Sequence, residues 1–133
     1  MSGVTLIDLP KILDKRGNLT FLQNSDQFPF EIRRVFWTYD VPGGETRGGH
    51  AYHKQEELII ALSGSFDVSV TDRFGNTVDY SLNRSYYGLY LPPMNWRFMG
   101  NFSTNALGLH LSSAVFDPDD YIRDFEYFLS CTK

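Results

Sequence analysis

Short apolar runs separated by turn-forming residues recur along most of the chain, and this pattern constrains the fold more than any other feature. The runs are LTFLQ, IRRVFWTYDV, ELIIALSG, SFDVSVTD, TVDYSL, YYGLYLPP and ALGLHLSS. Their length, and the Gly, Pro, Asn and Asp residues that close them, are typical of strands rather than helices. So many short strands in one chain predict an all-β fold, an antiparallel jelly roll or barrel.

Only the last part of the chain carries a helical pattern. Asp117 is a suitable N-cap, and Pro118 suits the first position of a helix. Ile122, Phe125 and Leu129 then recur at helical spacing and form an apolar stripe. We therefore predict one short C-terminal helix that begins near residue 118 and packs its stripe against the sheets.

The length and charge of the chain limit the functions open to it. A chain of 133 residues fits one domain, which we expect to span residues 1–133. The net charge of −4 offers no basic surface for nucleic acid, although a nucleotide ligand needs only a few well-placed arginines. The single cysteine, Cys131, and the lack of a signal-peptide core or a bilayer-spanning run favour a soluble cytoplasmic protein that does not bind membranes.

The stretch GGETRGGHAYHKQEELIIALSG concentrates polar and ionisable side chains in front of an apolar strand. It could be a metal site, an acid/base site without a metal, or a polar strand end. His50 and Tyr52 are two residues apart and share one face of a regular strand, whereas His53 points to the other face. Glu56 and Glu57 also lie on opposite faces, and one of them could orient His50.

The spacing from Gly44 resembles the first motif of the cupin superfamily, G-x5-H-x-H-x3-4-E-x6-G, with Tyr52 in place of the second histidine. The second cupin motif, P-x-G-x2-H-x3-N, is partly matched by PPMNWRFMGN, with Arg97 in place of its histidine. A catalytic Zn, Fe or Mn site needs about three imidazole or carboxylate ligands. Only His50 and Glu57 remain at ligand positions, and arginine cannot coordinate a cation. We expect no metal, which disfavours a metal-dependent cupin oxygenase.

Longer blocks resemble the WxcM-like cupins, a family of sugar-nucleotide 3,4-ketoisomerases. The blocks RRVFWTYD, TRGGHAYHKQEELIIALSGSF, GLYLPPMNWRFMGNFS and DPDDYIRDFEYF lie in register from about Asp14 to Phe128. The resemblance implies a cupin jelly roll (double-stranded β-helix), a homodimer without cofactor, and an active site inside the barrel around an H-x-H pair. It also implies a dTDP-4-keto-6-deoxyhexose as substrate and a role in making deoxyamino sugars for surface polysaccharides.

A 3,4-ketoisomerase moves a proton from C3 to C4 of the sugar, which requires a base and a donor for the developing oxyanion. His50 is in register with the family's first histidine and is predicted to be the base. Tyr52 shares its strand face and is predicted to donate a phenolic proton to the carbonyl oxygen. The alternative is a divergent cupin that binds a nucleotide sugar, or regulates a partner, without catalysis.

Arginine side chains are the candidates for binding the diphosphate. Arg47 matches the family block and can hold phosphate or sugar oxygens with two hydrogen bonds. Arg33 and Arg34 alternate on their strand, so at most one points inward, and we predict that it is Arg34.

Further candidates follow from the second motif and from the remaining histidines. Arg97 could contact phosphate, and either Trp96 or Tyr39 could stack on the thymine ring. We expect His53 at the surface or the rim of the pocket. His110 alternates with leucines, and we expect it to be structural.

Overall fold

The computed structural model describes residues 3–24 and 28–131, which fold into two five-stranded β-sheets and a two-stranded ribbon. In these residues the strands are β1 (Thr5–Asp8), β2 (Lys11–Ile12), β3 (Leu19–Thr20), β4 (Arg34–Tyr39), β5 (Arg47–Tyr52), β6 (Glu57–Ser63), β7 (Phe66–Thr71), β8 (Thr77–Leu82), β9 (Tyr87–Leu91), β10 (Trp96–Gly100), β11 (Leu107–Ser112) and β12 (Tyr121–Ile122). A 3-10 turn at Pro118–Asp120 precedes β12, and helix α1 (Phe125–Ser130) follows it.

The first sheet has the strand order β1-β9-β6-β11-β4, and the second has the order β12-β5-β10-β7-β8. From β4 to β12 the chain passes from one sheet to the other at every step except the β7–β8 hairpin. The strand pairs within both sheets are antiparallel. This alternation between two facing sheets is the jelly-roll topology, so the predicted all-β jelly roll is confirmed.

Apolar side chains fill part of the space between the two sheets. The predicted alternation of β7 holds, because Phe66, Val68 and Val70 all point into this core and are buried. Each such side chain contributes about 1.5–3 kcal/mol by leaving water. Gly108 on β11 lets the Phe66 ring lie against the backbone, since a Cβ at this position would be 3.1 Å from a ring carbon. The remaining space between the sheets is lined by polar and aromatic residues and stays open.

The outer face of the first sheet is also apolar. Leu9 and Phe30 from the N-terminal segment cover part of it. Strand β4 lies at the edge of this sheet, and its outward side chains are left uncovered: Val35 is 46% exposed, Trp37 57% and Tyr39 60%. A row of exposed apolar side chains of this kind marks a surface suited to association.

The C-terminal segment departs from its prediction. Asp117 caps a turn at Pro118–Asp120 as expected, but the helix does not continue from there. The next strand, β12, pairs with the edge of β5 and buries Ile122, which satisfies backbone groups that the edge would otherwise leave unpaired. Helix α1 begins only after its cap, Asp124. The predicted start near residue 118 is therefore wrong, although a short C-terminal helix is present. No described helix is long and apolar enough to cross a bilayer.

Candidate active site

The two sheets enclose a cavity of about 450 Å³, a size common among small-molecule sites. Its walls come from β4, β6 and β11 of one sheet and from β5, β10 and β12 of the other. The ionisable side chains that border it are Arg47, His50, Tyr52, Glu57, Arg97, His110, Tyr121 and Arg123. The structure thus brings four of the predicted site residues, Arg47, His50, Tyr52 and Arg97, to one cavity.

Strand β5 is irregular just before the predicted catalytic pair. Gly48 has a φ of 84°, which favours glycine, and the register of β5 against β10 shifts between Arg97 and Met99. Bulges of this kind bend a strand and change the direction of its side chains. His50 and Tyr52 follow the irregularity, and both border the cavity.

Three aromatic side chains, which we call the aromatic cluster, meet at one wall of the cavity: His50, Tyr52 and Tyr121. Their ring centroids are 4.8 Å apart for His50 and Tyr52, 5.1 Å for His50 and Tyr121, and 4.7 Å for the two tyrosines. The hydroxyl of Tyr52 lies 3.2 Å from that of Tyr121. The pairing of β12 with β5 causes this arrangement, because it sets Tyr121 directly opposite Tyr52.

Sequence reasoning did not single out Tyr121. It lies in the block DPDDYIRDFEYF, which already carried the family resemblance, so a signal was present. The sequence analysis placed Tyr121 in a helix, and a helical residue would not pair with strand β5. The position of Tyr121 opposite Tyr52 was therefore not predicted.

The imidazole of His50 is held in its neutral form. Burial, followed by the positive charge of Arg97 and that of Arg123, lowers the pKa of His50 to about 3. Its Nε2 atom is buried and makes no hydrogen bond to the described residues. At neutral pH the ring is therefore unprotonated.

Tyr52 is held in its protonated form. Burial, followed by the negative charge of Glu57, raises the pKa of Tyr52. The guanidinium of Arg97 lies over the phenol ring, 5.0 Å from its centroid. Although Tyr52 borders the cavity, its solvent-accessible fraction is 0%.

A second group, which we call the ion cluster, borders the same cavity and consists of Glu57, Arg97 and His110. Nη1 of Arg97 donates to Oε1 of Glu57 at 3.0 Å, and Nδ1 of His110 is 2.5 Å from Oε2 of the same carboxylate. Nε2 of His110 is in turn 3.1 Å from the hydroxyl of Thr38. Of the two adjacent glutamates, Glu57 therefore faces the cavity, and its hydrogen bonds go to Arg97 and His110.

Glu57 in the ion cluster is ionised despite its burial. Burial by itself would raise the pKa of Glu57, but His110 and then Arg97 outweigh it and lower the pKa to about 2. Nη2 of Arg97 remains buried without a hydrogen bond to the described residues. Arg97 borders the cavity, but this Nη2 atom is itself covered by its neighbours.

A metal ion finds no ready set of ligands in residues 3–24 and 28–131. No group of three or more His, Cys, Asp or Glu side chains in this part of the chain is placed to hold one. The carboxylate that borders the cavity, Glu57, is occupied by Arg97 and His110.

The remaining predicted residues lie around the cavity rather than at its surface. The guanidinium of Arg34 donates to the hydroxyl of Tyr121 from both Nη atoms, at 3.4 Å each, and to Oε1 of Gln55 at 3.1 Å. Tyr39 lies on the outer, exposed side of β4. Trp96 packs against two aromatic rings of α1, with centroid distances of 5.3 and 5.9 Å.

Two exposed arginines border the cavity. Arg47 was predicted from its motif, whereas Arg123 was not singled out. The guanidinium of Arg123 lies over the ring of Tyr121, 4.3 Å from the centroid. The two cations make this part of the cavity suited to an anionic group.

Residues 2–133 match the model of the FdtA family, described as WxcM-like, C-terminal. The chain belongs to this family. It is 36% identical over 124 residues to the TDP-4-oxo-6-deoxy-alpha-D-glucose-3,4-oxoisomerase of Aneurinibacillus thermoaerophilus, covering 92% of this chain and 88% of the relative.

Solved structures of 3,4-ketoisomerases resemble this member of the FdtA family over nearly its whole length. The WlaRB TDP-quinovose 3,4-ketoisomerase from Campylobacter jejuni is 38% identical, with a TM-score of 0.92 over 98% of this chain and 99% of that chain. QdtA from Thermoanaerobacterium thermosaccharolyticum, a sugar 3,4-ketoisomerase solved in complex with TDP, is 32% identical, with a TM-score of 0.95 over 99% and 96%. The predictions of a WxcM-like cupin and of an isomerase of the 3,4-ketoisomerase type are confirmed. The roles of individual residues stay predictions.

Proposed function

We propose that this protein isomerises a dTDP-4-keto-6-deoxyhexose to its 3-keto form. One observation carries the proposal: a neutral imidazole and two phenols, those of His50, Tyr52 and Tyr121, converge in one cavity. The relatives of the chain are TDP-sugar 3,4-ketoisomerases, and their reaction requires a base and an acid of these kinds.

The proton on C3 of such a sugar is acidic because C3 is next to the C4 carbonyl. We propose that His50 removes this proton and later returns it to C4. The lowered pKa of His50 keeps its lone pair free at neutral pH. A dianionic substrate brings negative charge near Arg97 and Arg123, the two arginines that lower this pKa. The pKa of His50 therefore rises when the substrate binds, and the ring becomes a stronger base.

The oxygen on C4 must gain a proton as the double bond moves. The strand alternation assigned this step to Tyr52, and the geometry places a second phenol, Tyr121, at 3.2 Å from it. Both phenols touch the ring of His50. Base and acid therefore lie side by side, as required for two adjacent carbon atoms of one sugar.

The nucleotide part of the substrate needs cationic and aromatic partners. We propose that Arg47 binds the diphosphate together with Arg123, since both are exposed and border the cavity. Arg97 also borders the cavity, and we propose that it contacts the substrate after its covered Nη2 atom becomes accessible. Tyr39 and Trp96 remain our proposals for stacking on thymine, and the ring of Tyr39 is the more exposed of the two.

We also propose a homodimer. The uncovered outer side of β4, with Val35, Trp37 and Tyr39, offers apolar surface at a sheet edge. Light scattering after size exclusion measures the mass directly, and Trp37→Lys should shift it toward the monomer.

The proposed activity is tested by incubating the purified protein with dTDP-4-keto-6-deoxyglucose in D₂O and following the sugar by NMR. We expect a new 3-keto sugar and deuterium at the exchanging carbon. Binding of the nucleotide sugar without product and without deuterium uptake would contradict the proposal. It would instead support the alternative, a nucleotide-sugar-binding protein without catalysis.

A further inference from the structure

We infer that Tyr121, rather than Tyr52, is the phenol that exchanges protons with the sugar oxygens, and that Tyr52 and Arg34 act through it. This inference rests on the proposed function and deepens it. It assigns one catalytic residue, Tyr121, and two positioning residues.

Access to the cavity separates the two tyrosines. Tyr52 borders the cavity, but its solvent-accessible fraction is 0%, so its neighbours cover it. Tyr121 borders the same cavity and is partly exposed. Direct proton transfer requires the donor to reach hydrogen-bond distance of the substrate. Of the two phenols, only Tyr121 meets this condition in the cavity as it stands.

The hydrogen bonds indicate which way the Tyr121 proton points. A phenol oxygen can accept about two hydrogen bonds and donates one. Arg34 can only donate, and its two N–H contacts at 3.4 Å occupy one side of the Tyr121 oxygen. Tyr52 donates to the same oxygen at 3.2 Å. Both of these groups donate to Tyr121, and no other side chain in the described part of the chain accepts its proton. The proton of Tyr121 is therefore free to be donated to a ligand in the cavity.

The charge of Arg34 suits Tyr121 to release and regain a proton. When Tyr121 gives up its proton, negative charge develops on an oxygen that a guanidinium and a phenol already contact. Arg34 is itself held in place by Oε1 of Gln55 and by the face of Phe36, 4.7 Å from its ring centroid. Tyr52 also lies near a guanidinium, that of Arg97, but its burial and the carboxylate of Glu57 outweigh this cation and raise its pKa, which opposes negative charge on its oxygen.

The proton balance of the reaction needs only one such phenol. His50 takes the proton from C3, the C3–C4 double bond forms, and Tyr121 gives its proton to O4. The electrons of the O3–H bond then form the C3 carbonyl, O3 returns its proton to Tyr121, and His50 delivers its proton to C4. Substrate and product are isomers, and both protein groups return to their starting state. Because O3 and O4 are on adjacent carbons, one phenol can serve both.

The experiment compares Tyr121→Phe, Tyr52→Phe and the double variant by kcat with dTDP-4-keto-6-deoxyglucose. We expect Tyr121→Phe to lose about 10²- to 10⁴-fold, and Tyr52→Phe to lose about tenfold through its lost hydrogen bond. The double variant should be no slower than Tyr121→Phe, because Tyr52 acts only through Tyr121. Tyr127→Phe on the exposed face of α1 is the matched control and should keep full activity.

A kcat of Tyr121→Phe within threefold of the wild type would overturn the inference, as would losses that multiply in the double variant. If Tyr121→Phe fails to fold, a ring-fluorinated tyrosine at position 121 replaces it. Its more acidic hydroxyl should move the alkaline limb of the kcat profile to lower pH, and an unmoved limb would also overturn the inference. An inactive wild-type protein would instead refute the proposed function, so the two failures are distinguishable.

Discussion

The ion cluster and the aromatic cluster border the same cavity, but they differ in the charge of their side chains. In the ion cluster, Glu57 is ionised and contacts Arg97 and His110 directly. In the aromatic cluster the groups are neutral, and Nε2 of His50 is left without a hydrogen bond.

The difference follows from the cost of burial. An unpaired buried charge costs several kcal/mol, so charges between the sheets must have fixed partners. A neutral buried atom without a hydrogen bond costs about 1–3 kcal/mol, which a folded domain can tolerate at one or two positions. We conclude that the ion cluster chiefly holds the shape of the cavity, whereas the aromatic cluster keeps the groups that react.

The strongest test removes the centre of the ion cluster. Glu57→Gln leaves the buried guanidinium of Arg97 without a counter-charge, so the free energy of unfolding should fall by about 3–5 kcal/mol. Urea denaturation measures it. Glu56→Gln is the matched control on the neighbouring residue: Glu56 is half-buried and accepts one hydrogen bond from Tyr90, so about 1 kcal/mol is expected. Equal losses of unfolding free energy in Glu57→Gln and Glu56→Gln would show that the ion cluster does not depend on the charge of Glu57.

The corresponding change in the aromatic cluster should affect catalysis and leave stability almost unchanged. His50→Gln removes the proposed base, and kcat should fall by about 10²- to 10⁴-fold, while the free energy of unfolding changes by less than about 1 kcal/mol. Deuterium uptake at C3 of the sugar, followed by NMR, reports the step directly. His53→Gln, an exposed histidine close to it in sequence, should behave as the wild type. Undiminished uptake in His50→Gln would show that another group is the base.

The two clusters contribute to the pH dependence of stability in different pH ranges. In the unfolded chain, His50 binds a proton below its ordinary pKa of 6.5, whereas in the folded chain it does so only near 3. The unfolded state therefore binds more protons in this window, and stability falls as the pH drops from 6.5 toward 3, by up to about 1.4 kcal/mol per pH unit. Glu57 adds a second loss below 4.5, since its folded pKa is about 2.

Urea denaturation at several pH values of wild type and His50→Gln measures both parts. The variant should lose the decline between pH 6.5 and 4.5 and keep the decline below 4.5 that Glu57 contributes. An identical decline in both proteins above pH 4.5 would contradict the neutral state of His50.

The smallest expected effect concerns the exposed arginines at the cavity. Arg47→Met and Arg123→Met each remove one cation that we propose to contact the diphosphate, so KM should rise by about tenfold with kcat nearly unchanged. Arg73→Met, at a turn outside the cavity, is the control and should leave KM unaltered. A fall in kcat with constant KM would contradict a role in substrate binding and would show that the arginine acts in the chemical step.

The apolar runs predicted β3, β4, β6, β7, β8, β9 and β11, because a side chain that alternates between core and solvent depends on residues near it in sequence. Phe66, Val68 and Val70 illustrate this. The runs did not include β1, β2, β10 or β12. The same reasoning failed at the C-terminus. There the residues around Ile122 form backbone hydrogen bonds with the edge of β5, as strand β12, instead of the hydrogen bonds of a helix. A competition between distant segments leaves no trace in a local pattern.

The site divides in the same way. The motif spacing by itself determined that His50 and Tyr52 share a face and that Arg97 stands at the position of a cupin ligand, since these relations depend on strand period and order along the chain. Only the tertiary structure decided that Tyr121 meets this pair, that Arg34 reaches Tyr121, and that His110 pairs with Glu57. Each of these contacts joins different strands, and their distance depends on how the two sheets pair and face each other.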